Sequence, residues 1–541
     1  MKRTLALILA IMMTMALVAC GGGDTSTPGT SDPGTTSTPL QQGTGDINKE
    51  EKPVTTDPAV KYKEHVEIAM SGLPTTLDPY MKSDNDHDSA FKLSHNQLIN
   101  YNFETAEFEP ELAVEWKTEA ADSYWFKLRQ GVKFHNGEGL TADDVRWSFV
   151  ERPKTMETVG AANLVKIVED VEVINDYEFR VKLNSPNTDF FPTVSLSCAA
   201  ILNREACVAD PANGFTVGTG GWKLTNYVPS DNVAYEKFED SWVWVEKPTP
   251  TKTLTLRKRG GGTASTVAVQ TGECAAAQTM SAAEYASVKN DPTIKTAVFA
   301  AETLEYMFFN MKNGVTSDDP NLRKAIAYAI NYEDMNVVRF DGLATRHYNI
   351  HGPKQPGYAE LPADLKPDYN LEKAKEYLAK SKQPNGCTIN LTTCGEWEGM
   401  ATIMMENLKA IGITLNVEII DGTGFSAKMK EAVGYDMGMY NISLRAEGGR
   451  FKFIPDVTNS TNRAHYDDPD LVDQYYAALA EPDEAKRNEI YKNIQYKLAD
   501  DMAYVPFFTG VGFTLQNAKA GGVIWNADTK HDFTFVWQQA D

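Results

Sequence analysis

The sequence predicts an α/β protein with two or more lobes. Its 541 residues are too many for a single compact core. In the second half of the chain, short apolar strands alternate with helices that carry an apolar stripe, and this alternation is typical of α/β organisation. The clearest strands are predicted at 388–392 and 413–419, and the clearest helices at 371–379, 401–411, 471–479 and 485–498.

The N-terminus predicts export and a membrane tether. Lys2 and Arg3 precede the apolar run 5–18, which is too short to be a stable membrane span. Residues 1–20 are therefore a predicted secretory signal. The signal ends in LVAC, which looks like a bacterial lipobox and makes Cys20 the predicted lipidation site. The alternative is an ordinary export signal with an incidental cysteine.

Residues 21–60 are dominated by Gly, Thr, Ser and Pro and contain almost no large apolar side chains. Such a composition cannot bury a core, so this segment is predicted to be a flexible linker. The folded body is predicted to begin near Glu64, with a first strand at 65–69.

Composition and motifs argue against several classes of function. The net charge of −22 disfavours nucleic acid or an anionic membrane surface as the main partner. We find no nucleophile elbow and no H-E-x-x-H motif. The glycine-rich segment 218–224 does not match the phosphate-loop pattern G-x-x-x-x-G-K-[ST] and has no helix signal after it, so it is predicted to serve packing. His347 and His351 are four residues apart, but Gly352 and Pro353 disfavour the helix that would present both to a metal.

Five cysteines remain after Cys20, and the exported compartment permits disulfides. Their odd number leaves at least one thiol unpaired. Two local pairs are candidates, Cys198 with Cys207 and Cys387 with Cys394, while Cys274 has no near neighbour in sequence. The pairing stays open at this point.

The stretch 125–149 (WFKLRQGVKFHNGEGLTADDVRWSF) predicts a strand, a turn and a helix. Phe126 and Leu128 alternate with polar residues, which is the period of a strand with two different faces. Glycines and asparagine surround a second predicted short strand at 132–134. A helix follows, with Thr141 as its predicted N-cap.

This stretch closely resembles the signature of one family, the solute-binding proteins of ABC importers in the oligopeptide, dipeptide and nickel cluster. The family pattern reads W-x-F-x-L-R-x-G-V-K-F-H-x-G-x-x-L-T-A-D-D-V-x-x-S-F. The segments 75–80 (TTLDPY), 218–224 (GTGGWKL) and 308–335 also resemble family motifs, whereas 272–276 (GECAA) lacks the acidic residue of the family's G-E-x-D. The resemblance covers residues 64–541.

The resemblance implies a two-lobed α/β fold of the periplasmic-binding-protein type, with an extra subdomain and two hinge crossings between the lobes. The first lobe is expected at 64–304, with the subdomain inserted at about 100–215. The second lobe is expected at 305–508, and residues 509–541 are expected to return to the first lobe.

The resemblance also implies a ligand site between the lobes, where burial strengthens each polar contact. On the first lobe, Ser83, Asp84 and Asn85 form a loop that lines the cleft in the family, with a solvated loop as the alternative. On the second lobe, Glu396 and Trp397 follow a strand. Trp397 offers a flat apolar face and one N–H, which suit either a ligand or packing.

A second loop of that lobe carries Asn441, Ser443 and Arg445. Peptide-binding members of the family have here an aspartate that pairs with the peptide ammonium group, and Arg445 lies at or next to its position. A guanidinium would instead favour a carboxylate, phosphate or other anion. The alternatives are a structural or exposed arginine, or one neutralised by Glu447.

The resemblance implies a lipid-anchored, extracytoplasmic solute-binding protein that catalyses no reaction and needs no cofactor. A small solute, peptide-like or other, bridges the lobes, and the closed monomer docks on the permease subunits of an ABC importer. A signalling receptor that presents its ligand on the same fold and a secreted hydrolase are the alternatives. The ligand stays open among a peptide, a nickel chelate, an opine, an oligosaccharide and another anion.

Overall fold

The computed structural model describes residues 59–540, apart from 82–84, 103–104, 106, 157, 159–163, 354, 356 and 445–461. The predicted signal 1–20 with Cys20 and nearly all of the linker 21–60 lie outside the described residues. Ser83, Asp84 and Arg445 lie outside them as well. Within the described part of the chain, no helix combines the length and the apolar character that a membrane crossing requires.

Strands and helices alternate through the described residues, which confirms the α/β prediction. In chain order, the described strands are β1 (His65–Met70), β2 (Ile99–Asn102), β3 (Glu107–Pro110), β4 (Ala113–Ala120), β5 (Ser123–Leu128), β6 (Val168–Asn175), β7 (Glu178–Leu183), β8 (Trp222–Val228), β9 (Asn232–Lys237), β10 (Thr253–Lys258), β11 (Ala276–Ala277), β12 (Ile294–Lys295), β13 (Val298–Phe309), β14 (Thr345–Arg346), β15 (Thr388–Cys394), β16 (Thr414–Ile420), β17 (Met437–Ser443), β18 (Tyr504–Phe513), β19 (Leu515–Asn517), β20 (Ala520–Gly521) and β21 (Trp537–Gln538).

The helices predicted in the second half of the chain are all present. Within the described residues, the α-helices are α1 (Asn85–Ser94), α2 (Ala142–Arg146), α3 (Phe190–Val194), α4 (Arg204–Ala209), α5 (Val243–Glu246), α6 (Thr263–Gln270), α7 (Ala282–Val288), α8 (Pro320–Ala329), α9 (Tyr332–Phe340), α10 (Leu371–Lys380), α11 (Glu398–Lys409), α12 (Gly422–Glu431), α13 (Pro469–Ala480) and α14 (Glu484–Asp501).

Seven of the described strands form one sheet, in the order β12-β19-β11-β1-β10-β9-β8. β1 runs parallel to β10 and β11, and its residues Val66 and Ile68 are buried. The glycine-rich segment 218–224 leads into β8, where the buried Trp222 donates its indole N–H to the carbonyl of Thr534 at 2.8 Å. This segment therefore serves packing, as its sequence predicts.

A second sheet contains six described strands in the order β14-β18-β13-β17-β15-β16. β15 runs parallel to both β16 and β17, so the carboxyl ends of these three strands lie at one edge. Two flanking helices begin at side-chain caps. Asp319 accepts from the amide of Leu322 before α8, and Asn370 accepts from the amide of Lys373 before α10, both at 3.0 Å.

The signature stretch contributes to a four-stranded sheet of described strands, ordered β4-β5-β7-β6. On β5, Phe126 and Leu128 are buried, and the ring of Phe126 stacks on that of Phe179 with centroids 5.4 Å apart. α2 begins after Thr141, whose amide donates to the Asp144 carboxylate at 3.0 Å. The stretch therefore contributes to a hydrophobic core.

The predicted strand at 132–134 is wrong. The chain turns immediately after Phe134, whose amide donates to the carbonyl of Glu138 at 2.8 Å, so only the isolated bridge between Lys133 and Gly139 forms. A short turn leaves no length for a ladder.

The chain passes between the two large sheets at two neighbouring points, from β12 to β13 and from β18 to β19. The Thr514 amide donates to the carbonyl of Ala297 at 3.0 Å, and the Ala297 amide donates to the Thr514 hydroxyl at 2.6 Å. The hydroxyl of Thr296 donates to the carbonyl of Thr514 at 2.6 Å. The two crossings are thus bonded to each other, while the division into lobes after residues 304 and 508 stays a prediction.

Neither candidate disulfide is formed. Cys207, Cys387 and Cys394 are thiols, and burial raises the pKa of the Cys207 thiol to about 11. The ring of His347 bonds the carbonyl of His351 at 2.9 Å. No group of three or more metal-binding side chains occurs among the residues that the structure describes.

Candidate functional site

The predicted second-lobe residues meet at one edge of the six-stranded sheet. The turn Gly395–Trp397 follows β15, and Asn441 lies near the end of β17. β13 runs antiparallel to β17 and places Glu305 opposite Asn441. We call this group, formed by Glu305, Glu396, Trp397 and Asn441, the carboxyl edge.

A carboxylate and an arginine organise the carboxyl edge. Glu305 is only 2% exposed, and it accepts a hydrogen bond from the indole N–H of Trp397. The Nη2 of Arg339 lies 3.5 Å from Glu305 Oε1 and 3.2 Å from Glu396 Oε2. Burial raises the pKa of Glu305, and the Arg339 guanidinium opposes that shift. The Arg339 guanidinium therefore lies close to the negative charges of both carboxylates.

Aromatic rings form a continuous layer beside this edge. The ring of Trp397 lies 5.2 Å from that of Tyr440, which in turn stacks on Phe425 at 4.8 Å. Trp397 is 1% exposed and its N–H is taken by Glu305. The predicted ligand contact of Trp397 stays a prediction, and the structure gives this indole a packing role as well.

An arginine lies over the ring of Tyr440. Arg463 is half-buried, its Nη1 donates to the hydroxyl of Tyr306 at 2.8 Å, and its Cζ lies 4.4 Å from the Tyr440 ring centroid. Burial raises the pKa of Tyr306, so its hydroxyl stays protonated at neutral pH. The guanidinium of Arg463, bonded to Tyr306, thus places a positive charge close to the aromatic layer.

The remaining predicted site residues are placed as follows. Asn85 is the first residue of α1, a helix that packs against β8 of the seven-stranded sheet. The prediction of a loop at Asn441 and Ser443 is wrong, because β17 continues through both residues and the backbone of Ser443 pairs with Thr303. The structure thus brings Glu396, Trp397 and Asn441 together, and Ser443 lies two residues beyond Asn441.

Sequence reasoning missed Glu305, Arg339 and Arg463. One signal was present for Glu305, because a carboxylate within the otherwise apolar run 304–309 needs a buried partner. Arg339 lies on α9 and Arg463 follows the segment 445–461, and neither stands in a recognisable motif. Their roles depend on contacts between distant parts of the chain.

Three comparisons with known proteins give the wider context. Di/tripeptide-binding protein 2 of Pseudomonas aeruginosa is 25% identical to this chain over 510 residues, which cover 87% of this chain and 94% of that protein. Heme-binding protein A of Haemophilus influenzae is 22% identical over 467 residues, covering 80% and 84%. The solved structure of the dipeptide-binding protein from Pseudoalteromonas sp. SM9913 in complex with Met-Leu gives a TM-score of 0.77 at 20% identity, covering 88% of this chain and 100% of that one.

The structural similarity confirms the predicted two-lobed α/β fold. The family model described as "Bacterial extracellular solute-binding proteins, family 5 Middle" matches residues 107–462, about two thirds of the chain. Family members are binding proteins, so the enzyme alternative is set aside. This chain belongs to the bacterial extracellular solute-binding proteins of family 5.

Proposed function

We propose that this chain is a lipid-anchored extracytoplasmic receptor that captures one small solute between its two lobes and delivers it to the permease of an ABC importer. The observation that carries this proposal is the pair of bonded crossings at Ala297 and Thr514. Two adjacent crossings let two lobes rotate about one axis while each sheet stays intact. Cys20 is the proposed anchor and residues 21–60 the proposed tether.

Closure is the proposed mechanism. A solute that contacts both lobes binds the closed state more tightly than the open state, and this difference shifts the population toward closure. We propose Ser83, Asp84 and Asn85 as contacts from the first lobe. The proposed second-lobe contacts are Glu396, Trp397, Asn441, Ser443 and Arg445. The permease then recognises the closed monomer.

The relatives leave the class of solute broad. One is named for di- and tripeptides, another for heme, and a solved neighbour holds the dipeptide Met-Leu. We propose a compact solute, peptide-like or of similar size. The partly exposed ring of Tyr440, backed by the buried rings of Trp397 and Phe425, supports a solute with some apolar surface as well as polar groups.

Native mass spectrometry of gently purified protein tests the proposal. We expect one small molecule bound per chain, released on denaturation with its mass unchanged. Protein denatured, refolded and dialysed serves as the matched control and should be free of that molecule. A protein that takes up no solute from a panel of di- and tripeptides and host extract, before or after refolding, would contradict the proposed function.

A further inference from the structure

Arg463 carries a positive charge that other described residues leave largely unmatched. A guanidinium has five N–H donors. In the described part of the chain, those of Arg463 make one hydrogen bond, to the Tyr306 hydroxyl, and no ion pair with a carboxylate. Among the described residues, the titratable groups that face it are the phenols of Tyr306, Tyr440 and Tyr504 and the thiol of Cys394, which are neutral at pH 7.

Three other arginines show how this chain usually satisfies a buried guanidinium. Arg152 pairs with the Asp78 carboxylate at 2.6 Å. Arg323 donates to the backbone carbonyls of residues 316, 317 and 501. Arg346 donates to the carbonyls of residues 347, 367, 506 and 507. Arg463, with one hydroxyl and one aromatic ring, differs from all three.

Burial without an anionic partner is unfavourable for a guanidinium. Removing a charge from water costs free energy unless hydrogen bonds or a counter-ion replace the water. The Tyr440 ring returns part of that free energy through a cation–π contact. The unused N–H groups remain available to an incoming acceptor, because the side chain keeps part of its surface exposed.

Arg463 also lies beside the candidate site. Tyr306 directly follows Glu305 on β13, and Tyr440 directly precedes Asn441 on β17. The ring that Arg463 covers is the one that contacts Trp397 at 5.2 Å. A planar anion bound to Arg463 would therefore lie against the aromatic layer, next to the carboxyl edge.

We propose that Arg463 binds an anionic group of the solute, a carboxylate or a similarly planar oxyanion. The guanidinium provides two parallel N–H groups for such an anion, and Tyr306 holds the guanidinium in place. This inference rests on the proposed function and assigns its solute a negative group. It places the specificity of the site on Arg463.

Acetate is the probe for this proposal, because it presents a carboxylate and little else. The thermal midpoint of the intact protein is measured while acetate replaces chloride at constant ionic strength. We expect a saturable rise of about 1–3 °C for the wild type. Arg463→Gln should lose most of this rise, and Arg463→Lys should show a smaller one because an ammonium offers a point charge without the planar fork.

Arg180→Gln is the matched control, because Arg180 pairs with Glu119 and Glu172 on the four-stranded sheet, and it should respond as the wild type does. In chloride alone, Arg463→Gln should unfold at or above the wild-type temperature, since an unmatched charge has been removed. The proposal is overturned if the wild type shows no saturable response, if Arg463→Gln responds equally, or if that variant unfolds more than about 5 °C lower in chloride. The co-purified solute tests the proposed function separately, because it is detected without acetate.

Discussion

Replacing Asp78 by alanine is expected to lower the free energy of unfolding by about 3–5 kcal/mol, because it leaves the buried Arg152 charged and without a counter-ion. Arg152 Nη2 lies 2.6 Å from Asp78 Oδ2, and both side chains are at most 10% exposed. Arg152 also covers the ring of the fully buried Tyr80, which packs in the core of the four-stranded sheet. Urea unfolding followed by circular dichroism measures the loss.

An exposed ion pair of similar length provides the control. Lys133 Nζ lies 2.7 Å from Asp240 Oδ2, with the side chains 46% and 63% exposed. Asp240→Ala should change the free energy of unfolding by at most about 1 kcal/mol, since solvent already screens that pair. The double variant Asp78→Leu, Arg152→Met should recover most of the loss. Equal losses for Asp78→Ala and Asp240→Ala would show that burial is not the cause.

Acidification from pH 7 to pH 5 is expected to destabilise the protein by about 4 kcal/mol. Burial lowers the pKa of His95 to about 3 and those of His135 and His531 to about 4. The unfolded chain binds protons at these histidines near pH 6.5, whereas the folded chain does not. The three neutral histidines therefore contribute fully to the free energy of unfolding above pH 6.5. This contribution is lost as the pH falls below 6.5, by roughly 2 kcal/mol per histidine at pH 5.

The buried carboxyl group of Glu111 opposes this trend. Burial raises the pKa of Glu111 to about 7, against the hydrogen bonds that it accepts from Asn96 and from the amide of Gln97. The folded chain binds this proton near pH 7, but the unfolded chain binds it only near pH 4.5. Acidification therefore favours the fold at this site by about 2 kcal/mol, which offsets roughly one histidine.

Urea unfolding at pH 7 and pH 5 measures the difference. His531→Gln should reduce the acid-induced loss by about 2 kcal/mol, because one buried histidine no longer takes up a proton on unfolding. His65→Gln is the control, since the His65 side chain is 51% exposed, and it should leave the loss unchanged. An unfolding free energy that is the same at both pH values would contradict the account of these buried groups.

Strands and helix starts could be predicted where neighbouring residues in the sequence determine them. The alternation of Phe126 and Leu128 with polar residues marks β5, and Asp319 and Asn370 mark helix starts because a cap needs only three following residues. The two crossings at Ala297 and Thr514 carry no comparable pattern. They are defined by contacts between residues 217 positions apart.

The candidate site was predictable only in part, for the same reason. Trp397 follows β15 and Asn441 lies near the end of β17, so their position at a sheet edge can be expected from the chain order. The partner of Trp397 is Glu305, 92 residues earlier, and that of Arg463 is Tyr306, 157 residues earlier. Local patterning does not encode such pairs, and only the fold brings them together.

The central claim is that this protein binds one solute and leaves it chemically unchanged. A titration of ligand-free protein with the solute recovered from it, followed by tryptophan fluorescence, tests the claim most directly. The account predicts saturation at one solute per chain, with the solute recovered intact afterwards. A titration without saturation, or a solute that is consumed during it, would contradict the account.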